Sequence, residues 1–91
     1  MANGEEYKNI MSEMIKKQIV ILGPDIAIMK AKNVTELTIN PDGEVTEING
    51  EPQVALQRLI DEYVALSGLI VKKTMEPLLA KYPSVVVEQK Q

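Results

Sequence analysis

The sequence contains no cysteine, histidine, phenylalanine or tryptophan. Without cysteine there can be no disulfide. Without cysteine and histidine together, zinc and copper sites of the usual nitrogen and sulfur type are excluded, as are thiolate nucleophiles and imidazole acid–base chemistry. Aromatic residues are reduced to Tyr7, Tyr63 and Tyr82. The core must therefore be aliphatic, built from Ile, Leu, Val and five Met, a filling that adapts easily but offers few large anchors. Long apolar runs are missing too. The runs IVIL (19–22) and GLIV (68–71) fall far short of the ~20 residues a helix needs to cross a bilayer. Neither phosphate-cradling glycine pattern, GxxxxGK[ST] or GxGxxG, is present. The opening MANGEEYKN is polar and does not read as a secretory signal. The expectation is a cytoplasmic protein.

At 91 residues the default is a single domain over 1–91. A chain of this size buries roughly 60–65% of its unfolded surface, enough for a modest core. Residues 1–4 and 84–91 are expected to be flexible at the two ends. Net charge is −3, unevenly spread. Residues 1–34 carry +1, residues 35–62 carry −6 and residues 63–91 carry +2. An acidic middle between mildly basic ends fits a mixed solvated surface. It also allows the acidic middle of one copy to meet the basic helices of another.

The middle is where strand signals concentrate. Leu37 and Ile39 alternate with Glu36, Thr38 and Asn40 in the period of a half-buried strand. Asn40-Pro41-Asp42-Gly43 then predicts a type I turn closed by a glycine bulge, with Pro41 presetting φ and Gly43 free to take positive φ. In the second strand Val45 and Ile48 are three apart, so they share a face only if a bulge intervenes. Asn49-Gly50 ends it. The antiparallel hairpin is thus placed at about 35–49, and two strands alone must pack on helices or on another ribbon.

Both flanks read as helix. From Glu5, the residues Tyr7, Ile10, Met11, Met14 and Ile15 recur at helical spacing, with Glu5 and Glu6 at the positive end. Ile19 to Leu22 are four apolar residues in a row, which fits a helix buried all round or a short strand of three β-branched residues, and the preceding pattern favours the helix. Gly23-Pro24-Asp25 breaks it, and Pro24 opens a second helix through Ile26, Ala27, Ile28, Met29 and Ala31, with Lys30 and Lys32 near its end and Asn33 as a stop. Pro52 opens a long third stretch with Val54, Leu56, Leu59, Ile60, Tyr63, Val64 and Leu66 on a broad apolar face. Ser67-Gly68 interrupts it, by a kink or by close approach of another helix. Pro77 should bend or restart it, and Tyr82-Pro83 ends it. SVVVE (84–88) reads either as an added strand or as part of a loose tail.

Met14-Ile15-Lys16-Lys17 leads to Gly23 as Leu59-Ile60-Asp61-Glu62 leads to Gly68, at an offset of 45 residues. That spacing suggests two related helix–Gly–helix units, although amphipathic helices of similar composition align this way by chance.

Little of the polar inventory points to chemistry. Asp42, Glu44, Glu47 and Glu51 lack the order of a calcium loop and fit the solvated face of a ribbon. Lys16-Lys17, Lys30, Lys32 and Lys72-Lys73 fit solvated helix faces. No cofactor, metal ligand or catalytic residue is assigned, and the chain is not read as an enzyme. The order helix, helix, hairpin is similar in topology to a winged helix, with Pro24–Asn33 as recognition helix and the hairpin as wing. That analogy implies a DNA-binding regulator, with Lys30, Lys32 and Asn33 reaching bases. The acidity of the would-be wing opposes it. Membrane association through Ile19–Met29 is opposed by Asp25.

The residues therefore predict an α+β fold, with helices at both ends flanking a central antiparallel hairpin and packing as a dimeric bundle. The expected role is a small homodimerising interaction or regulatory module, whose partner is a second copy and in addition another protein. Ile19, Leu22, Tyr63, Leu66 and Ile70 are the expected packing residues of the interface, with Gly23 and Gly68 permitting close helix approach.

Overall fold

A computed structural model describes residues 4–82, and within it the side chains at 67, 69–71 and 74 fall outside the description. The elements are α1 (Gly4–Leu22), α2 (Pro24–Lys32), β1 (Leu37–Ile39), β2 (Val45–Ile48) and α3 (Pro52–Lys81). The fold is α+β, with helices on both sides of a two-stranded antiparallel hairpin. The segment 84–88 lies outside the described residues.

α1 buries Tyr7, Ile10, Met11, Met14 and Ile15, the stripe its periodicity predicts, together with the polar Ser12 and Gln18. The expectation of burial all round at its end is wrong. Ile19 and Leu22 pack partly against the core, but Val20 is 85% exposed and Ile21 42%. Four consecutive residues span a full helical turn, and one neighbour covers only one side of it. A single residue, Gly23, then joins α1 to α2. Its φ of 89° lies where a side chain is strained, its N–H bonds the Ile19 carbonyl at 2.9 Å, and its carbonyl accepts from Ala27 at 3.1 Å. Pro24 follows at the start of α2, where its missing N–H costs nothing.

Asn33 ends α2 in a manner different from a left-handed stop. It is right-handed, with φ −65° and ψ −20°. The chain leaves through tighter turns, Val34 N–H to Ala31 carbonyl and Leu37 N–H to Val34 carbonyl, both at 3.1 Å. The hairpin turn is as predicted. Gly43 donates to the Asn40 carbonyl and Asn40 to the Glu44 carbonyl, both at 2.9 Å, with Gly43 at φ 96°. Leu37 pairs with Ile48, Thr38 with Glu47 and Ile39 with Val45, so Thr46 is the extra residue of a bulge. That bulge puts Val45 and Ile48 on one face with Leu37 and Ile39. Leu37 and Val45 are buried and the other two half-buried against the core.

α3 starts at Pro52 and runs as one helix to Lys81, through Gly68 and Pro77. Neither residue restarts it. A straight helix of that length would measure about 44 Å, well beyond the 32 Å that the molecule extends along its longest principal axis. α3 is therefore bent, and Gly68 and Pro77 are its helix-weakening residues. The bend returns Met75 and Leu78 to the core that also takes Ala55, Leu56, Leu59, Ile60 and Tyr63. The two halves of the suggested 45-residue repeat differ at their glycines, because Gly23 breaks a helix at positive φ and Gly68 sits inside one.

Candidate functional site

Among the described residues, three clips that contain an ion pair tie the elements together. In the first, Ser12 on α1 accepts a hydrogen bond from the Val45 N–H of β2 at 2.9 Å. Its hydroxyl lies 2.7 Å from the Lys8 carbonyl and 3.1 Å from Glu44 Oε2, and its single proton goes to one of these acceptors at a time. Lys16 donates to Glu44 Oε1 at 2.8 Å. The Lys16 ammonium, and after it the Ser12 hydroxyl, hold the Glu44 carboxyl below the usual carboxylate range. Glu44 in turn raises Lys16.

In the second clip, Glu13 on α1 receives Lys81 Nζ and the Tyr82 hydroxyl from the end of α3, each at 2.6 Å. Lys81 first and Tyr82 second lower the Glu13 carboxyl, and the same bonds raise Lys81 and Tyr82. In the third, Arg58 on α3 donates to Glu36 Oε2 just before β1. Glu36 Oε1 is hidden from solvent and makes no hydrogen bond of normal geometry. The residue's own backbone N–H and the Arg58 guanidinium still hold the carboxyl below the usual range. Part of the acidity of the middle segment is thus met within the chain, by Lys16 and Arg58. Serine, lysine and carboxylate do come together at Ser12, Lys16 and Glu44. There the Ser12 oxygen is committed to a backbone N–H and the side chain is 4% exposed, so the cluster fastens a helix to a strand and offers no nucleophile. Among the described residues no group of three or more Asp or Glu is placed to hold a metal ion, and no helix is long and apolar enough to cross a membrane.

The expected interface residues scatter. Tyr63 lies wholly within the chain, at 0% exposure, and its hydroxyl donates to the Ala27 carbonyl at 2.8 Å. Burial pushes its ionisation far above the ordinary tyrosine range. This bond fixes α3 to α2. Ile19 and Leu22 are half-buried on the core, Leu66 is 43% exposed on α3, and Gly68 is exposed. Ile70 has its side chain outside the described set. Among the described residues, nothing beyond its chain neighbours lies within 4 Å of a side chain added at Gly23, and at Gly68 the neighbour is Val64 of its own helix.

The apolar surface left open lies largely elsewhere. Besides Val20 and Ile21 it includes Ile26 and Met29 on α2 and Val54 and Val64 on α3. Along α2 an open groove is lined by Asp25, Ile28, Met29, Lys32 and Asn33, with Pro41 of the hairpin turn on its other side. The α2 positions 25, 28, 29 and 32 recur at three- and four-residue spacing and form one face of the helix. Asn33 is engaged, donating to Glu62 Oε1 at 2.9 Å. Sequence periodicity does not single out this face, because Ile26, Ala27, Ile28, Met29 and Ala31 together surround α2 with apolar residues. It becomes visible once Ala27 and Ala31 are known to be the buried side.

Compared with known protein families, curated protein sequences and solved structures, the chain matches none.

Proposed function

We propose that the protein is a non-enzymatic, homodimerising interaction module, which docks a second copy of itself through helix faces its own core does not cover. The observation that carries this reading is the apolar surface on α2 and the adjoining end of α1. There Val20, Ile21, Ile26 and Met29 stand 85%, 42%, 44% and 55% exposed within a short stretch of chain. Clustered exposed apolar side chains mark interaction surfaces, whereas single ones need no explanation. The polar clusters fit the same reading, since their bonds run between elements of the fold.

The alternative of a DNA-binding regulator with a winged-helix arrangement is weaker. The outward residues of α2 are Ile26 and Met29 as much as Lys32, Asn33 is held by Glu62, and the hairpin carries Glu44 and Glu47. Thermal unfolding at a series of chain concentrations separates the readings. A homodimer unfolds at a temperature that rises with concentration. A concentration-independent midpoint, together with salt-sensitive binding of duplex DNA weakened by Lys30→Glu, would replace this reading with the regulator.

A further inference from the structure

The outer face of α2 carries a pattern that fits itself. Asp25 stands in its first turn and Lys32 in its last, seven residues apart and so on the same side of the helix, about 10 Å apart along the axis. Both are exposed, and neither forms an ion pair among the described residues. Between them lie Ile28, half-buried and lining the groove, and Met29, 55% exposed. An acid, two apolar residues and a base along one face match the same face of a second copy running antiparallel. A two-fold axis between Ile28 and Met29 would put Asp25 of each protomer against the partner's Lys32 and Met29 of each against the partner's Ile28. This is the reciprocity that an isologous interface requires. The parallel arrangement would set like charges against each other. Antiparallel packing also opposes the two helix dipoles favourably.

The geometry points to the α2 face as the self-docking surface of the homodimer, with antiparallel α2 helices in the register Asp25 to Lys32. This rests on the homodimer reading above and specifies where and how the copies meet. Met29 enters the groove between α2 and the hairpin turn of its partner, over Ile28 and beside Pro41. Ile26 lies at the margin of the same face and extends the contact. Because the axis repeats every contact, one charge reversal turns two attractive pairs into two repulsive ones.

The test compares the dimer dissociation constants of the wild-type chain, Asp25→Lys, Lys32→Glu and the double exchange by sedimentation equilibrium. Each single reversal is expected to weaken dimerisation by about tenfold or more, and the double exchange to restore it to within about threefold of wild type. The double variant places both new charges unfavourably for the helix dipole, so recovery in it cannot come from a sturdier α2. Far-ultraviolet circular dichroism checks that each variant keeps its helices. Should α2 melt in the singles, Met29→Glu supplies the second reading, with loss of the dimer expected from a folded protomer. Dimers indifferent to all these changes would overturn the α2 interface and leave the homodimer standing. Failure of the double exchange to rescue would overturn the register, and a monomeric wild type would overturn both.

Discussion

Replacing Ser12 with alanine removes one oxygen from the seam between α1 and the hairpin, the acceptor of a buried backbone N–H. The Val45 N–H loses its acceptor. Val45 is 2% exposed and Ser12 4%, so water does not reach the site to substitute. A buried donor left unpaired costs about 1–3 kcal/mol. Against this, alanine is the better helix former by up to ~0.7 kcal/mol. The Glu44 carboxylate loses a weak partner but keeps Lys16 in a solvent-exposed pair, and that loss adds little. The expected net destabilisation is about 1–2 kcal/mol, a fall in melting temperature of roughly 4–16 °C for a chain of this size. Urea unfolding followed by circular dichroism, at one fixed chain concentration, measures it. The midpoint should fall while the denaturant slope stays constant. The loss should persist almost unchanged in a Glu44→Gln background, because it comes from the backbone N–H and not from the carboxylate. A Ser12→Ala chain as stable as wild type would show that the Val45 N–H does not depend on this acceptor. A loss that vanishes in the Glu44→Gln background would move the stabilisation to the side-chain pair.

Gly43→Ala should destabilise by about 1–2 kcal/mol for the left-handed backbone alone, and by more because its new methyl would stand 3.0 Å from Ile19 Cδ1 and 3.1 Å from Ile15 Cγ2. The same urea titration reports this. Tyr63→Phe keeps the buried ring and loses the bond to the Ala27 carbonyl, for an expected cost of about 0.5–1.5 kcal/mol. Hydrogen exchange should then speed up in α2 more than in the hairpin. Glu13 and Glu44 have lowered ionisation in the folded chain, so their contribution is fully present above the ordinary carboxylate value of 4.5 and is lost as pH falls below it. Tyr63, Tyr82, Lys16 and Lys81 are raised, so theirs is present below their ordinary values of 10.0 to 10.5 and is lost as pH rises through the folded values. Stability should therefore decline at both extremes of a pH series. Glu13→Gln should flatten part of the acid limb.

What could be read from the residues was what local chemistry decides. Gly23-Pro24 ends one helix and begins another because a missing N–H and a positive φ leave few alternatives. Asn40 to Gly43 makes its turn for the same kind of reason. The three-residue spacing of Val45 and Ile48 demanded a bulge, and Thr46 is the residue it displaces. What was not legible depends on distant partners. Ser12 looks like a polar interruption of α1 until Val45, 33 residues on, is seen to need an acceptor. The return of α3 to Glu13 through Lys81 and Tyr82 follows from a bend whose size no single residue announces. Tyr63, chosen from sequence as an interface residue, is consumed by the core because its hydroxyl finds a carbonyl inside the chain. The Asp25 to Lys32 face was hidden because α2 is apolar nearly all round, and its direction is set by the side that Ala27 and Ala31 bury.

The homodimer proposed above brings two copies of this chain together through surface the single chain leaves uncovered. Sedimentation equilibrium of the unmodified protein at micromolar concentration tests it most directly. The expected mass approaches two chains and declines toward one on dilution, whereas a mass of one chain throughout that range would rule the homodimer out.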